Sequence, residues 1–252
     1  MFDFPNRIGW KRLLAAVLML CLALTGTACS SRQEWEPPAL IDPTQPFSVL
    51  ILGDSQMYGA CWEGGYANCI SELYPDAQIF NLAQNGSLLA NGDIRAQWDY
   101  YRSETTLQPD IILLDGGTND MPYLKRAEFK DTTLPLVTEA LCSLLEEIHD
   151  ASPNTRIIYV LMPPFAEWED SEDGPPSYEI QKHYWKQLKK TAGAYDYVTV
   201  VDLFSINPFL YPDAETYQEN LADSIHMNET GYRSTFPYIN DAFVAGMEPQ
   251  ND

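Results

Sequence analysis

Five short, almost unbroken apolar runs punctuate the chain, at 47–52, 78–82, 110–114, 156–161 and 197–201. Each is too short for a helix and too continuous for a strand with one wet face. Each therefore predicts a strand buried on both faces. The intervals between them carry helical patterns. Leu134, Val137, Leu141, Leu144, Leu145 and Ile148 fall at helical spacing, and 91–104, 177–194 and 229–244 read as further helices. Strand–helix alternation repeated five times predicts an α/β domain: one five-stranded parallel sheet with helices on both faces, spanning 47–245. In such sheets the ligand site lies at the carboxyl ends of the strands. The residues that follow each run are the ones to read for chemistry.

The stretch before the first strand reads differently. Arg7, Lys11 and Arg12 precede an apolar run at 13–24. That run is short for a membrane span and suits the apolar segment of a signal peptide. Gly26-Thr27-Ala28-Cys29 follows and resembles a bacterial lipoprotein processing site, although Gly26 stands where leucine is usual. The expectation is a 1–28 signal peptide and an exported protein. Cys29 would be lipidated and would hold the chain at the outer face of a bacterial membrane. Ordinary cleavage near Ala28 is the plainer alternative. Residues 29–46, rich in proline and polar side chains, read as a tether, and 246–252 as a tail.

Charge narrows the partners. The whole chain carries −21. The first 28 residues hold three basic side chains and one acidic one, so the remainder stands at −23. Such a chain repels phosphate backbones, and nucleic acid is not an expected partner. Hydrophobic residues at 45% and aromatics at 12% set it apart from disordered sequences. Three cysteines lie beyond Cys29. Cys61 and Cys69 could pair if the turn between them allows, and Cys142 falls on an apolar helical pattern. No CxxC motif or His–Cys cluster points to zinc, and no metal is expected.

Three of the strand ends carry suggestive loops: Gly53-Asp54-Ser55, Asn85-Gly86-Ser87 and Gly116-Gly117-Thr118-Asn119-Asp120. Near the C-terminus lies Asp223-Ser224-Ile225-His226. Ester cleavage by serine needs a base to take its proton, a carboxylate to orient that base, and donors for the oxyanion. Only three histidines are present. His149 ends an amphipathic helix, where a cation suits the terminus, and His183 sits on a polar helical face. His226 remains, three residues beyond Asp223. Ser55, His226 and Asp223 are the candidate catalytic residues; the Ser55 and Gly86 amides and the Asn119 side chain are the candidate oxyanion donors. Asp54 reads as a turn or cap residue.

In order and spacing the four blocks resemble the SGNH hydrolases, also called GDSL esterases and lipases, over almost all of 47–245. The second block, Asn85-Gly86-Ser87, departs from the small pair common there. The resemblance implies a flavodoxin-like three-layer α/β/α fold, hydrolysis through an acyl-enzyme, and no cofactor. It also implies a small-molecule or glycan ester as substrate, with acetyl groups on carbohydrate or cell-wall glycan favoured for an outward-facing lipoprotein. A lysophospholipase-like lipid esterase, an O-acetyltransferase with the same triad and a non-catalytic binding lipoprotein are the alternatives. Tyr58, Trp62, Pro163, Pro164, Phe165 and Trp168 follow predicted strand ends and either line a pocket or pack beneath loops. The stretch 203–222 either covers the site or forms an ordered surface segment.

Overall fold

A computed structural model describes residues 45–125, 132–165, 177–211 and 214–244. The leader, the tether up to 44, Trp168 and the tail lie outside the described residues. Along the chain the elements are β1 (Ser48–Leu52), α1 (Ser55–Tyr58), α2 (Tyr66–Leu73), β2 (Gln78–Asn81), α3 (Asp93–Glu104) and β3 (Ile111–Leu114). A 3-10 turn (Met121–Lys125) leads to α4 (Thr133–Ala151), β4 (Arg156–Leu161), α5 (Tyr178–Ala192) and β5 (Val198–Asp202). The chain closes with α6 (Leu203–Ile206), α7 (Ala214–Asn220) and α8 (Glu229–Val244).

All five strands are parallel, in the order β2-β1-β3-β4-β5. Parallel neighbours need crossovers, and crossovers are right-handed. The step from β1 to β2 runs one way across the sheet; the three later steps run the other way. The reversal therefore puts α2 on one face and α3, α4 and α5 on the opposite one. α8 returns to the first face, where it packs on α2, and Arg156 of β4 donates to the Phe243 carbonyl near its end. The result is the expected three-layer α/β/α sandwich with flavodoxin-like strand order.

The central strands β1, β3 and β4 are wholly buried, because helices cover both faces. The expectation of burial fails at the edges: β2 and β5 are half-exposed. An edge strand has a neighbour on one side only, so continuous apolar character overstates its burial. Among the described residues no helix is long and apolar enough to cross a membrane. The order reverses between β1 and β3, so the crevice for a ligand opens beyond Leu52 and Leu114.

Candidate active site

The Ser55 loop is fixed by backbone demands. Gly53 leaves β1 at φ +150°, and a Cβ there would stand 1.8 Å from Asp115 Oδ1. Only glycine fits. Asp54 then caps α1, its carboxylate accepting from the Gln56 amide at 2.9 Å, and Gly59 closes the helix at φ 86°. Ser55 is thereby held at the first position of α1, directly past the end of β1.

The opposing loop is shaped by one carboxylate. Asp223 Oδ1 accepts from the amides of Ile225 and His226, both at 2.7 Å. This folds 223–226 into a turn, which a bridge between Leu221 and Met227 closes. Its other oxygen, Oδ2, lies 2.8 Å from His226 Nδ1. The far ring nitrogen, Nε2, lies 2.9 Å from Ser55 Oγ. An ionised carboxylate only accepts, so Nδ1 carries the proton and Nε2 presents a lone pair to the serine hydroxyl. Burial pushes the Asp223 carboxyl up, but the His226 amide, the imidazole and the Ile225 amide together hold it below the usual carboxylate range. It stays charged and acceptor-only at neutral pH.

The other two loops meet beside this relay. Asn119 Nδ2 donates to the Ser87 carbonyl at 3.0 Å, on the loop that carries Gly86. Asp120 accepts from the amides of Leu89 and Ala90. Gln97 of α3 bonds both the amide and the carbonyl of Gly53 and also reaches Ser87 Oγ. Loops from β1, β2 and β3 are thus tied to one another. Gly86, at φ 78° on the exposed rim, would place a Cβ in open space.

The sequence over 51–234 matches the GDSL-like lipase/acylhydrolase family. The chain belongs to that family. A carboxylic ester hydrolase of this kind is similar in fold to many solved structures. The lipase/acylhydrolase from Enterococcus faecalis is 20% identical with a TM-score of 0.59, covering 82% of this chain and all 100% of its own. An acetyl xylan esterase is 18% identical at TM-score 0.57, covering 77% and 98%. The acetylxylan esterase from Geobacillus stearothermophilus is 18% identical at 0.53, covering 80% and 94%. A sequence comparison with curated proteins gives no match.

Several supports of this GDSL-family site escaped sequence reasoning. Gln56, fully buried, donates through Nε2 to the Ile225 carbonyl at 2.8 Å, and Tyr232 donates to the Gln56 carbonyl at 2.6 Å. The residue after Ser55 therefore holds the His226 loop in place. Its partners lie 169 and 176 positions away, so no local pattern could announce them.

Asp54 does cap a helix, as expected, but it also sits against a second buried carboxyl. The Asp54 amide donates to Asp115 Oδ1 at 3.0 Å. Asp54 Oδ2 and Asp115 Oδ2 have no hydrogen-bond partner among the described residues. Burial pushes both carboxyls up, Asp54 to about 6 against the opposing pull of the Gln56 amide. Asp115 lies well above the ordinary range, through burial and then the charge of Asp54. One proton shared between the facing carboxyls accounts for both orphan oxygens.

The expected pocket needs correction. Pro163, Pro164 and Phe165 are buried, and the Phe165 amide and carbonyl are both bonded by Gln181 of α5. They belong to the core because the chain that leaves β4 is held against α5 by Gln181. Tyr58 is exposed and Trp62 half-buried, the latter beneath the Arg233 guanidinium and beside Tyr232. A cleft of about 680 Å³ lies instead along the β2 side, between α3 and the loop of Gly86 and Ser87. Gln84, Asn85, Asp93, Gln97 and Tyr100 contribute to its walls.

Cys61 and Cys69 do not pair: both are free, Cys61 exposed and Cys69 facing the core. Cys142 is half-buried. His149 stacks on Tyr197, with centroids 3.8 Å apart, and His183 is exposed. Within 203–222, Phe209 is fully buried and Tyr217 donates to the Ser224 carbonyl. The described part of this stretch packs as an ordered segment that braces the histidine turn.

Proposed function

We propose that this hydrolase cleaves short acyl esters, acetyl groups on carbohydrate above all, with Ser55 as nucleophile. The observation that carries the proposal is the unbroken relay from Asp223 through His226 to Ser55 Oγ, at 2.8 and 2.9 Å. In this reading His226 Nε2 takes the serine proton as Oγ attacks the ester carbonyl. The negative charge that develops on the carbonyl oxygen meets the Ser55 and Gly86 amides and the Asn119 side chain, each worth about 3 kcal/mol of barrier. The imidazolium, steadied by ionised Asp223, then returns its proton to the leaving alcohol. Water enters, loses a proton to His226 and releases the acid from Ser55.

The substrate class rests on the walls of the cleft along β2, which the loop of Gly86 and Ser87 helps to form. Amide, carboxylate and phenol groups share those walls with Leu82, Ala83 and Ala96, and the polar groups suit the hydroxyls of a sugar chain. Solved structures of like fold include acetyl xylan esterases, which agrees with this choice. The test is a panel of chromogenic esters from acetyl to long acyl, run beside acetylated oligosaccharides. Acetyl esters are expected to give the highest kcat/KM, with a fall of about tenfold or more by medium chain length. An organophosphonate is expected to label one serine, Ser55. A preference for long acyl chains would overturn the substrate; no turnover and no labelling would overturn the reaction.

We also propose export and anchoring through a lipid on Cys29, on the strength of the basic, apolar and Gly26-Thr27-Ala28-Cys29 succession. Cys29→Ala expressed in a bacterial host is expected to move the protein from the membrane to the soluble fraction. Variant protein that still sediments with membranes would rule out that anchor.

A further inference from the structure

Cys61 stands 162 positions before Asp223 in the chain, yet the two meet at the histidine. One ligand atom each from Cys61, Asp223 and His226 lies within 4.8 Å of the other two. We infer that these three side chains form a binding site for a thiophilic divalent cation, zinc being the type, and that its occupation switches the hydrolase off.

The donor set is the first argument. Thiolate, imidazole and carboxylate are the three ligand classes that zinc accepts, and three protein ligands leave a fourth tetrahedral position for water. Ligand atoms around tetrahedral zinc stand roughly 3.3–3.8 Å apart, given bonds of about 2.0–2.3 Å. Asp223 Oδ2 and His226 Nδ1 stand 2.8 Å apart and must part by about 0.5 Å, while the Cys61 sulfur closes in by about 1 Å, to meet that geometry. Cys61 is exposed and sits in the turn after Gly59, so rotation of its side chain supplies the movement while the Asp223–His226 turn stays fixed by its own hydrogen bonds. The cation is also reachable: Asp223 and Cys61 are both open to solvent, and the strongly negative chain draws cations towards it.

The second argument is what occupation does to the relay. Asp223 faces His226 Nδ1, so a cation held by Asp223 and Cys61 takes that nitrogen in place of its proton. The Cys61 thiol proton leaves to solvent. The single ring proton of His226 moves, through solvent, from Nδ1 to Nε2. Ser55 Oγ then faces an N–H where it had faced a lone pair, and no base remains to take its proton. Chelation removes the cation, Nδ1 and the thiol regain their protons, and the relay is restored. The sulfur supplies the affinity; the chemistry of ester cleavage does not call on it.

Two measurements on the full chain and on Cys61→Ser test this. In buffer without chelator, zinc chloride is titrated against turnover of an acetyl ester. The metal-free rates of the two proteins are expected to agree, and half-inhibition of the variant is expected to need about tenfold more zinc or above. A chelator such as EDTA is expected to restore the wild-type rate. Cobalt chloride is then added in place of zinc. A thiolate-to-cobalt absorption band in the near ultraviolet is expected for the wild type and absent for Cys61→Ser. Superimposable zinc curves, or a cobalt–thiolate band that survives in the variant or never forms in the wild type, would overturn the site. The cobalt spectrum needs no turnover, so it decides the site even if the ester substrate proposed above is wrong.

Discussion

Ser55→Ala and His226→Ala are each expected to lower kcat/KM for an acetyl ester by about 10⁴- to 10⁶-fold, and the double variant to be no slower than the worse single one. The argument is that the two groups perform one act. With alanine at 226 the serine hydroxyl has no acceptor for its proton, and with alanine at 55 the imidazole has no proton to take. Removing the second partner removes nothing further. About 6–8 kcal/mol of barrier is at stake by this arithmetic. The loss should fall on kcat/KM without loss of the fold. Ser55 Oγ makes its one side-chain bond to the histidine ring, and the loop of His226 is held by the Asp223 carboxylate and by Gln56. Steady-state kinetics, read beside thermal unfolding of each variant, check this. A Ser55→Ala protein within tenfold of the wild type would place the nucleophile elsewhere, and effects that multiply in the double variant would mean that the two residues act separately.

The parts legible in the sequence are those set by local pattern. The 156–161 run matches β4 residue for residue, and 229–244 matches α8, because a buried strand and an amphipathic helix each impose their own period. The other strands agree within one residue at either end. The sequence reading left out α1, α2, α6 and α7. These have four to eight residues, too few for a helical period to show. Two of them start at a single capping side chain, Asp54 at α1 and Asp202 at α6.

At the site, the candidate residues were legible where a motif carried them: Ser55 opens α1, and Gly86, Asn119, Asp223 and His226 stand on loops. What stayed hidden depends on contacts across the fold. Gln56 looks like any polar residue in a turn until Ile225 arrives beside it. Asp115 follows the third apolar run, and nothing local shows that it is buried against Asp54. Cys61 has no local partner, and its neighbours come from the far end of the chain. The buried Phe165 errs in the opposite sense: an aromatic after a strand end suits a pocket wall as well as a core, and only the packing of α5 decides.

The buried carboxyl pair beside Ser55 gives the largest expected effect on stability. In an unfolded chain both side chains titrate near 3.8, as free carboxyls do. In the fold both are raised, Asp54 to about 6 and Asp115 well above its ordinary range, chiefly because burial penalises the charged form. A raised carboxyl contributes its full stability below the unfolded value and loses it as pH climbs through the folded one. Folding then takes up protons across that window, and stability falls by about 1.4 kcal/mol per pH unit for each proton taken up. Asp115→Asn should abolish one such proton. Its Oδ1 still accepts from the Asp54 amide, and its amide nitrogen supplies a permanent donor to the orphan Asp54 Oδ2. Denaturant unfolding is therefore expected to show the variant pulling ahead of the wild type by about 1.4 kcal/mol per pH unit as pH rises above about 5, with the two converging near pH 4. If the two stability curves instead ran parallel over that range, the pair would hold no proton, and the two facing oxygens would need another partner.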